Sequence, residues 1–374
     1  MDKNSNRKTA IILYFGVGVQ TTPKIQLIKG TLEKRYKNVL ISGITAKPFE
    51  PESKHKIIPV TTNNKLMKVL ISVTAIIKLC FWINSKSPDL IYAINPIPGL
   101  IASTFKKIKK TKFIYETLEI FSGIDYFPYS RRYRKLWYLV EKTAIQNSEK
   151  SFTTDEFRLK LLRRYLKVTS QKLSYTYNTN KAPTSLEINS KPSHVVLSYC
   201  GGVYPGRQID EIILAFSLFK RIERSAKLII AGSGDPLYLE SLKKLSYNLK
   251  LAESVRFTGY LSNEELKNIM RNSTITFAFY KNDSLNNRLN SPNKIFDSIF
   301  SKTALITTSS PLARKVILAN GAGKIINSTS PQEVYNKCKE LISIEHSQPN
   351  YEELIKKYCW ESEENKILEA LPEI

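Results

Sequence analysis

Histidine and cysteine are scarce in this chain. Three histidines (His55, His194, His346) and four cysteines (Cys80, Cys200, Cys338, Cys359) are scattered over 374 residues. No CxxC pair and no metal-ligand spacing occurs among them, which excludes a zinc module, a disulfide framework and a two-cysteine redox centre. The cysteines read as reduced, mostly buried residues of a cytosolic protein. Acidic residues are also short, with 33 Asp+Glu against 57 Lys+Arg. Glycine-rich turns exist, but none has the full GxGxxG spacing, so a dinucleotide site lacks support. Long apolar runs are nearly missing. Residues 1–9 are polar and charged, and Ala10–Phe15 is too short for a leader's apolar region, so no secretory signal is expected. The longest run, Leu66–Ile83, carries Lys68 and Lys78 and barely reaches spanning length. It is expected to be a buried amphipathic helix, with a helix lying in a membrane surface as the second reading.

What is present suffices for two folded bodies. At 374 residues and 42% hydrophobic, the chain exceeds one ordinary core and is not disordered by composition. Its formal charge of +24 is lopsided. Residues 1–190 hold 33 Lys+Arg and 13 Asp+Glu, whereas residues 191–374 hold 24 and 20. An excess on one half points to an anionic partner there.

Strand and helix patterns alternate. In the first half, strand-like runs at Ala10–Phe15, Asn38–Ser42, Lys56–Val60, Asp89–Ala93, Lys112–Glu116 and Ser151–Thr154 are separated by helical patterns. The alternation restarts at His194–Cys200 and continues through Lys227–Gly232, Val255–Thr258, Ile275–Phe279, Ala304–Thr307 and Gly323–Ile326. The acidic tail Tyr351–Leu371 reads as helical. Short apolar strands interleaved with helices predict parallel sheets covered on both faces, hence two Rossmann-like α/β domains in series. A linker rich in Asn, Ser, Thr, Lys and Pro near Asn178–Pro192 divides them. The expected domains are 1–185, 186–350 and a C-terminal helix over 351–374 that returns to the first.

Residues 290–306, NSPNKIFDSIFSKTALI, concentrate the chemistry. A polar turn with Lys294 enters an apolar helix that carries Asp297 early, and a strand follows. Backbone N–H groups and Lys294 can meet phosphate oxygens, and Asp297 can accept from a sugar diol. The same residues also fit an ordinary capped helix, with Ser291 or Asn293 as N-cap and Pro292 near N1. Gly201, Gly202, Arg207, Lys294 and Asp297 all fall at the carboxyl ends of expected strands, where open parallel sheets bind ligands. Arg207 there can grip a diphosphate at two points, although a lone loop Arg is more often simply solvated.

Four runs, YCGGVYPGRQIDEIILAF (199–216), KLIIAGSGD (227–235), VRFTGYLSNEELKNIM (255–270) and SPNKIFDSIFSKTALI (291–306), resemble in order and spacing the nucleotide-sugar-binding half of GT-B retaining glycosyltransferases of family 4, in the branch that writes its turn SPNK. The resemblance implies a donor site of Gly201, Gly202, Arg207, Gly234, Tyr260, Ser291, Asn293, Lys294 and Asp297. Arg207 stands where the family usually has Lys. Asp297 stands for its ribose-binding Glu, and Leu289 for a further Glu near the transferred sugar. In the first half, PDLIYAINP (88–96) and KFIYETLEIFSG (112–123) resemble the acceptor-domain strands. Leu118 replaces the usual His, which leaves Glu116 and Glu119 as the candidate catalytic carboxylates, with Gly16 and Gly18 in the acceptor loop. No cofactor and no metal is implied: the donor is a nucleotide-diphosphate sugar, and cations with helix N-termini neutralise the leaving diphosphate. Retention by front-face attack, the leaving phosphate assisting deprotonation of the acceptor, is inherited from the resemblance.

Three basic clusters remain: Lys106–Lys112; Arg131, Arg132, Arg134 and Lys135 among aromatics; and Arg158–Lys167. Aromatics interleaved with Arg suit a membrane headgroup layer, with about 1 kcal/mol of attraction per basic residue at an anionic surface. A merely solvated surface is the plainer alternative. Nucleic acid is the less favoured partner, since no nucleic-acid-reading motif occurs. The expectation is therefore a bacterial surface-glycan glycosyltransferase at the inner face of the cytoplasmic membrane, acting on a lipid-linked or oligosaccharide acceptor. A nucleotide-sugar epimerase of the same architecture, or a non-catalytic membrane or nucleic-acid binder, stands as the alternative.

Overall fold

The computed structural model describes residues 8–16, 22–45, 54–62, 64–121, 131–183, 194–343 and 349–373. Gly18 and the aromatics Tyr126, Phe127 and Tyr129 lie outside them, as do the side chains of Arg131, Arg132 and Arg134. The chain forms two compact units, Met1–Asn180 with Trp360–Ile374, and Lys181–Cys359.

The first unit runs β1 (Thr9–Gly16), α1 (Pro23–Glu33), β2 (Asn38–Thr45), β3 (Lys56–Pro59), α2 (Lys65–Lys86), β4 (Leu90–Ile94), α3 (Pro96–Lys109), β5 (Lys112–Glu116), α4 (Arg131–Asn147), β6 (Ser151–Thr153), α5 (Glu156–Leu166) and β7 (Leu173–Tyr175). Its seven strands lie in the order β3-β2-β1-β4-β5-β6-β7, every described pairing parallel. Ile11, Ile12, Leu90, Tyr92 and Phe113 are fully buried, as expected of strands covered on both faces. Strand order reverses between β1 and β4. With right-handed crossovers, that reversal puts α1 on one sheet face and α2, α3 and α4 on the other.

The second unit runs β8 (Val196–Cys200), α6 (Ile209–Lys220), β9 (Lys227–Ala231), α7 (Pro236–Asn248), β10 (Val255–Gly259), α8 (Asn263–Arg271), β11 (Ile275–Ala278), α9 (Leu285–Arg288), α10 (Asn293–Phe300), β12 (Ala304–Thr308), α11 (Pro311–Ala313) with a wide turn over Arg314–Leu318, β13 (Gly323–Ile326), α12 (Pro331–Ser343) and α13 (Tyr351–Tyr358). The sheet order is β10-β9-β8-β11-β12-β13, again parallel, with its reversal between β8 and β11. Helix starts follow their capping signals. Asp235 accepts from the Tyr238 N–H at 2.8 Å, and Ser262 and Glu265 form a reciprocal capping box.

The tail is not one helix. It breaks at Cys359, whose backbone is extended, and α14 (Trp360–Ala370) follows. Helix α13 packs on α10, where the Phe296 and Tyr358 rings lie 5.7 Å apart, and it stays with the second unit. Only from Trp360 does the chain join the first unit, so the division falls nine residues later than expected there and five residues earlier at the linker. Trp360, Ile367 and Leu371 enter the core with Ile25, Ile28 and Leu32 of α1. The Trp360 indole donates to Thr31 Oγ1 at 3.2 Å, Thr31 donates to Glu364 at 2.9 Å, and Glu363 accepts from the Tyr177 N–H at 2.9 Å.

Helix α2 also departs from expectation. Only Ala75, Leu79 and Ile83 form a buried seam, against β2 and β3; Ile71, Ile76, Cys80 and Trp82 are half-buried, and its remaining large apolar side chains are exposed. The seam follows an i, i+4 spacing that buries one stripe of a helix which is apolar nearly all round.

Candidate functional site

The reversal between β8 and β11 opens a crevice at the carboxyl ends of these strands. Strand β8 ends at Cys200, and Gly201 follows with φ +145°, a conformation that a side chain strongly disfavours. A Cβ on Gly201 would come within 2.4 Å of Lys294 Nζ, so the ammonium rests directly over the glycine. Lys294 belongs to the first turn of α10, one residue inside the helix, and its Nζ also lies 5.3 Å from the centre of the Tyr199 ring. Pro292, not Ser291 or Asn293, occupies the N-cap position, and no side chain caps this helix. Its first N–H groups therefore point out unclaimed by a cap, the arrangement that suits an anion.

Arg207 closes the other side. It ends a short 3₁₀ turn, Pro205–Arg207, and the left-handed Gln208 (φ +51°) hands the chain on to α6. The Arg207 guanidinium lies 4.4 Å from the centre of the Tyr280 ring, just beyond β11, so the arginine bridges the two strands that flank the reversal. Burial, and then the neighbouring Arg207 charge, lower the Lys294 pKa to about 8, while Asp297 acts in the opposite sense. Two cations held together with a single opposing carboxylate make a site that gains from binding a diphosphate. Burial pushes the Cys200 thiol up to about 12, so it offers no thiolate nucleophile at neutral pH.

The second glycine turn is a packing device. A Cβ on Gly232 would meet the Gly201 carbonyl oxygen at 2.0 Å and one on Gly234 the Val203 carbonyl oxygen at 1.9 Å, so β9's exit presses directly on β8's. Gly234 thus supports the Gly201–Val203 loop, and its place among the ligand-binding residues rests on the resemblance. Tyr260 is exposed on the loop after β10. Ser291 and Asn290 are buried, the Asn290 amide donating to the Asn287 carbonyl at 2.7 Å. Sequence reasoning missed Tyr199 and Tyr280. Their signal was an aromatic at or just past the end of an expected strand.

In the first unit the two candidate carboxylates separate. Glu116 is fully buried. It pairs with buried Lys24 at 3.1 Å and accepts from Tyr92 Oη at 2.7 Å and Thr176 Oγ1 at 3.3 Å. Lys24 also donates to the Tyr177 carbonyl at 3.1 Å and sits 4.7 Å from the Trp360 ring centre. That is a core ion pair, not a group facing a substrate, and Glu116 is withdrawn as a catalytic candidate. Glu119 is partly exposed, 3.4 Å from the buried Arg158 guanidinium, which also donates to the Leu118 carbonyl. The Leu118 N–H bonds Asn95 Oδ1 at 3.1 Å, and Asn95 adopts φ +74° at the end of β4. Glu119, Asn95 and Gly16 therefore gather at the carboxyl ends of β1, β4 and β5. Lys135 is exposed at the start of α4.

Residues 184–358 match the family described as Glycosyl transferases group 1. A comparison with curated proteins gives no match. Among solved structures, Anabaena Alr3699/HepE in complex with UDP-glucose is similar at TM-score 0.71 and 12% identity, covering 97% of this chain and 100% of that one. WaaG, a glycosyltransferase involved in lipopolysaccharide biosynthesis, is similar at TM-score 0.65 and 13% identity, covering 96% and 98%. A candidate UDP-N-acetylglucosamine 2-epimerase from Listeria monocytogenes is similar at TM-score 0.64 and 10% identity, covering 97% and 95%. Both units thus share the fold of GT-B proteins, and residues 184–358, within the second unit, are similar to the family Glycosyl transferases group 1.

Proposed function

We propose that the protein transfers a sugar, with retention of configuration, from a nucleotide-diphosphate sugar to a membrane-linked glycan acceptor in the assembly of a bacterial surface polysaccharide such as capsule, exopolysaccharide or lipopolysaccharide. The observation that carries the donor assignment is Lys294 Nζ resting over Gly201 beside an uncapped helix start, with Arg207 braced on Tyr280. In this reading Arg207 and Lys294 take the two phosphates, Asp297 accepts from the ribose hydroxyls, and Tyr260 borders the nucleotide. Charge developing on the departing diphosphate is met by fixed cations and backbone N–H groups, so the chemistry calls for no metal. The acceptor hydroxyl loses its proton to a departing phosphate oxygen, and Glu119, at the carboxyl edge of the first unit's sheet, is the carboxylate assigned an electrostatic role in that unit.

A peripheral position on the inner face of the cytoplasmic membrane fits the basic first unit and a lipid-linked acceptor. Transfer and hydrolysis with a panel of UDP- and GDP-sugars, comparing wild type with Arg207→Ala and Asp297→Ala, tests the reading. Turnover of one donor that falls at least about 100-fold in Arg207→Ala, in line with the loss of one transition-state donor, and that weakens through a raised donor KM in Asp297→Ala, supports it. Unchanged turnover in both overturns the site assignment, and interconversion of the sugar without transfer shows an epimerase.

A further inference from the structure

The outer face of α2 has an apolar stripe that stays exposed among the described residues. Leu66, Met67, Val69, Leu70, Val73, Ile77 and Phe81 are between 48 and 72% exposed. Leu66, Leu70, Val73, Ile77 and Phe81 succeed one another at steps of three and four, so they share one side of the helix. That side is opposite the buried seam of Ala75, Leu79 and Ile83. Helix α2 carries Lys65, Lys68, Lys78 and Lys86, all off the stripe, and no carboxylate at all. Among the described helices it is the one long and apolar enough to cross a bilayer, yet its seam is committed to the sheet. A helix fixed by one side to a soluble sheet offers lipid only its other side.

We propose that α2 is an in-plane membrane anchor, its outer stripe sunk among the acyl chains of an anionic bilayer with the lysines at headgroup level. Charge complementarity selects this occupant. Helices α2, α3 and α4 cover the same sheet face and together hold twelve Lys and Arg against one carboxylate, Glu141, which is buried. On that face Ile108 of α3 and Leu136 and Leu139 of α4 are exposed as well. Lysine stems reach from apolar surface to headgroup phosphate, and Lys86 stands 5.7 Å from the Trp82 ring centre in an arrangement common at membrane interfaces. A stripe from Leu66 to Phe81 spans about 22 Å at 1.5 Å per residue, long enough to fix the orientation of the face it lies on. Insertion of α2 stands independently of the sugar chemistry.

The test is sedimentation of the full chain with vesicles of phosphatidylcholine alone or mixed with phosphatidylglycerol, at about 0.1 M and about 0.5 M salt. Wild type is expected to pellet with the anionic vesicles and to keep part of that binding at high salt, because burial of the stripe is not screened. Leu70→Glu with Ile77→Glu should weaken binding at least about 10-fold, with an unchanged circular dichroism spectrum and unchanged nucleotide affinity. Lys107→Gln with Lys109→Gln should lower only the salt-sensitive part. The proposal is overturned if the glutamate pair binds as well as wild type, or if wild type stays in solution. It is also overturned if the glutamates convert a dimer to a monomer without touching vesicle binding, or if wild type resists alkaline extraction as a spanning helix does.

Discussion

At the scale of single residues, the candidate site is a balance of charges around one glycine. Gly201→Ala would place a methyl where Lys294 Nζ now sits, in a backbone region that disfavours any side chain. Isothermal titration with UDP or GDP should show affinity reduced at least about tenfold, while Gly206→Ala, whose Cβ meets nothing within 4 Å, serves as the neutral control. Lys294, lowered to about 8, gives a pH prediction. Below that pH the amine is protonated in both the folded and the unfolded chain, so the cost of burying its charge is present in full. Between about 8 and the ordinary lysine value near 10.4 the unfolded chain binds more protons, so this residue's contribution to stability rises with pH. Nucleotide binding runs the other way, because the phosphates need the ammonium. Affinity should fall between pH 7 and 9 in wild type and stay nearly flat in Lys294→Arg. Glu116 and Glu119 make opposite predictions. Glu116→Gln leaves Lys24 buried without its counter-charge and should cost about 3 kcal/mol in urea unfolding. Glu119→Gln should unfold as wild type does and lower kcat more than it raises KM.

At the scale of elements, most of the alternation could be read from the sequence because each strand is a short apolar run closed by a polar turn. The elements that escaped are those held by neighbours rather than by pattern. Strand β7, Leu173–Tyr175, is three residues at a sheet edge with a single pairing partner, β6, and its own run is too short to announce itself. The one-turn α9 rests on Ser284 Oγ accepting from the Asn287 N–H at 3.2 Å. The tail reads as one helix because Tyr351–Leu371 keeps a helical period across Cys359, and only packing reveals two destinations. The same holds for α2, whose hydrophobicity fits a core as well as a surface until its neighbours are placed. The candidate site was legible as a set of residue types at strand ends. Its aromatic braces, Tyr199 and Tyr280, were not, because an aromatic at the end of a strand more often belongs to the core. Caps can be tested separately from the site: Ser262→Ala removes the capping box of α8 and should cost about 1 kcal/mol without changing nucleotide affinity.

At the scale of the whole molecule, charge and function divide between the units. The nearly neutral second half carries the candidate site and the Glycosyl transferases group 1 match, and the basic first half carries the exposed helix layer. A chain cut after Cys359 should keep the transition of the second unit and lose cooperativity in the first, read as two separated unfolding steps in denaturant. The reason is that the first unit would lose Trp360 over Lys24, the Glu363 and Glu364 contacts, and Ile367 and Leu371 from its core. The same return of the chain sets an order of events at the ribosome. Folding during synthesis usually proceeds from the amino end, but here the first body must wait, incompletely cored, while some 180 residues of the second emerge and fold. The basic unit is completed last, so α2 acquires a finished scaffold only once the second unit already has its own.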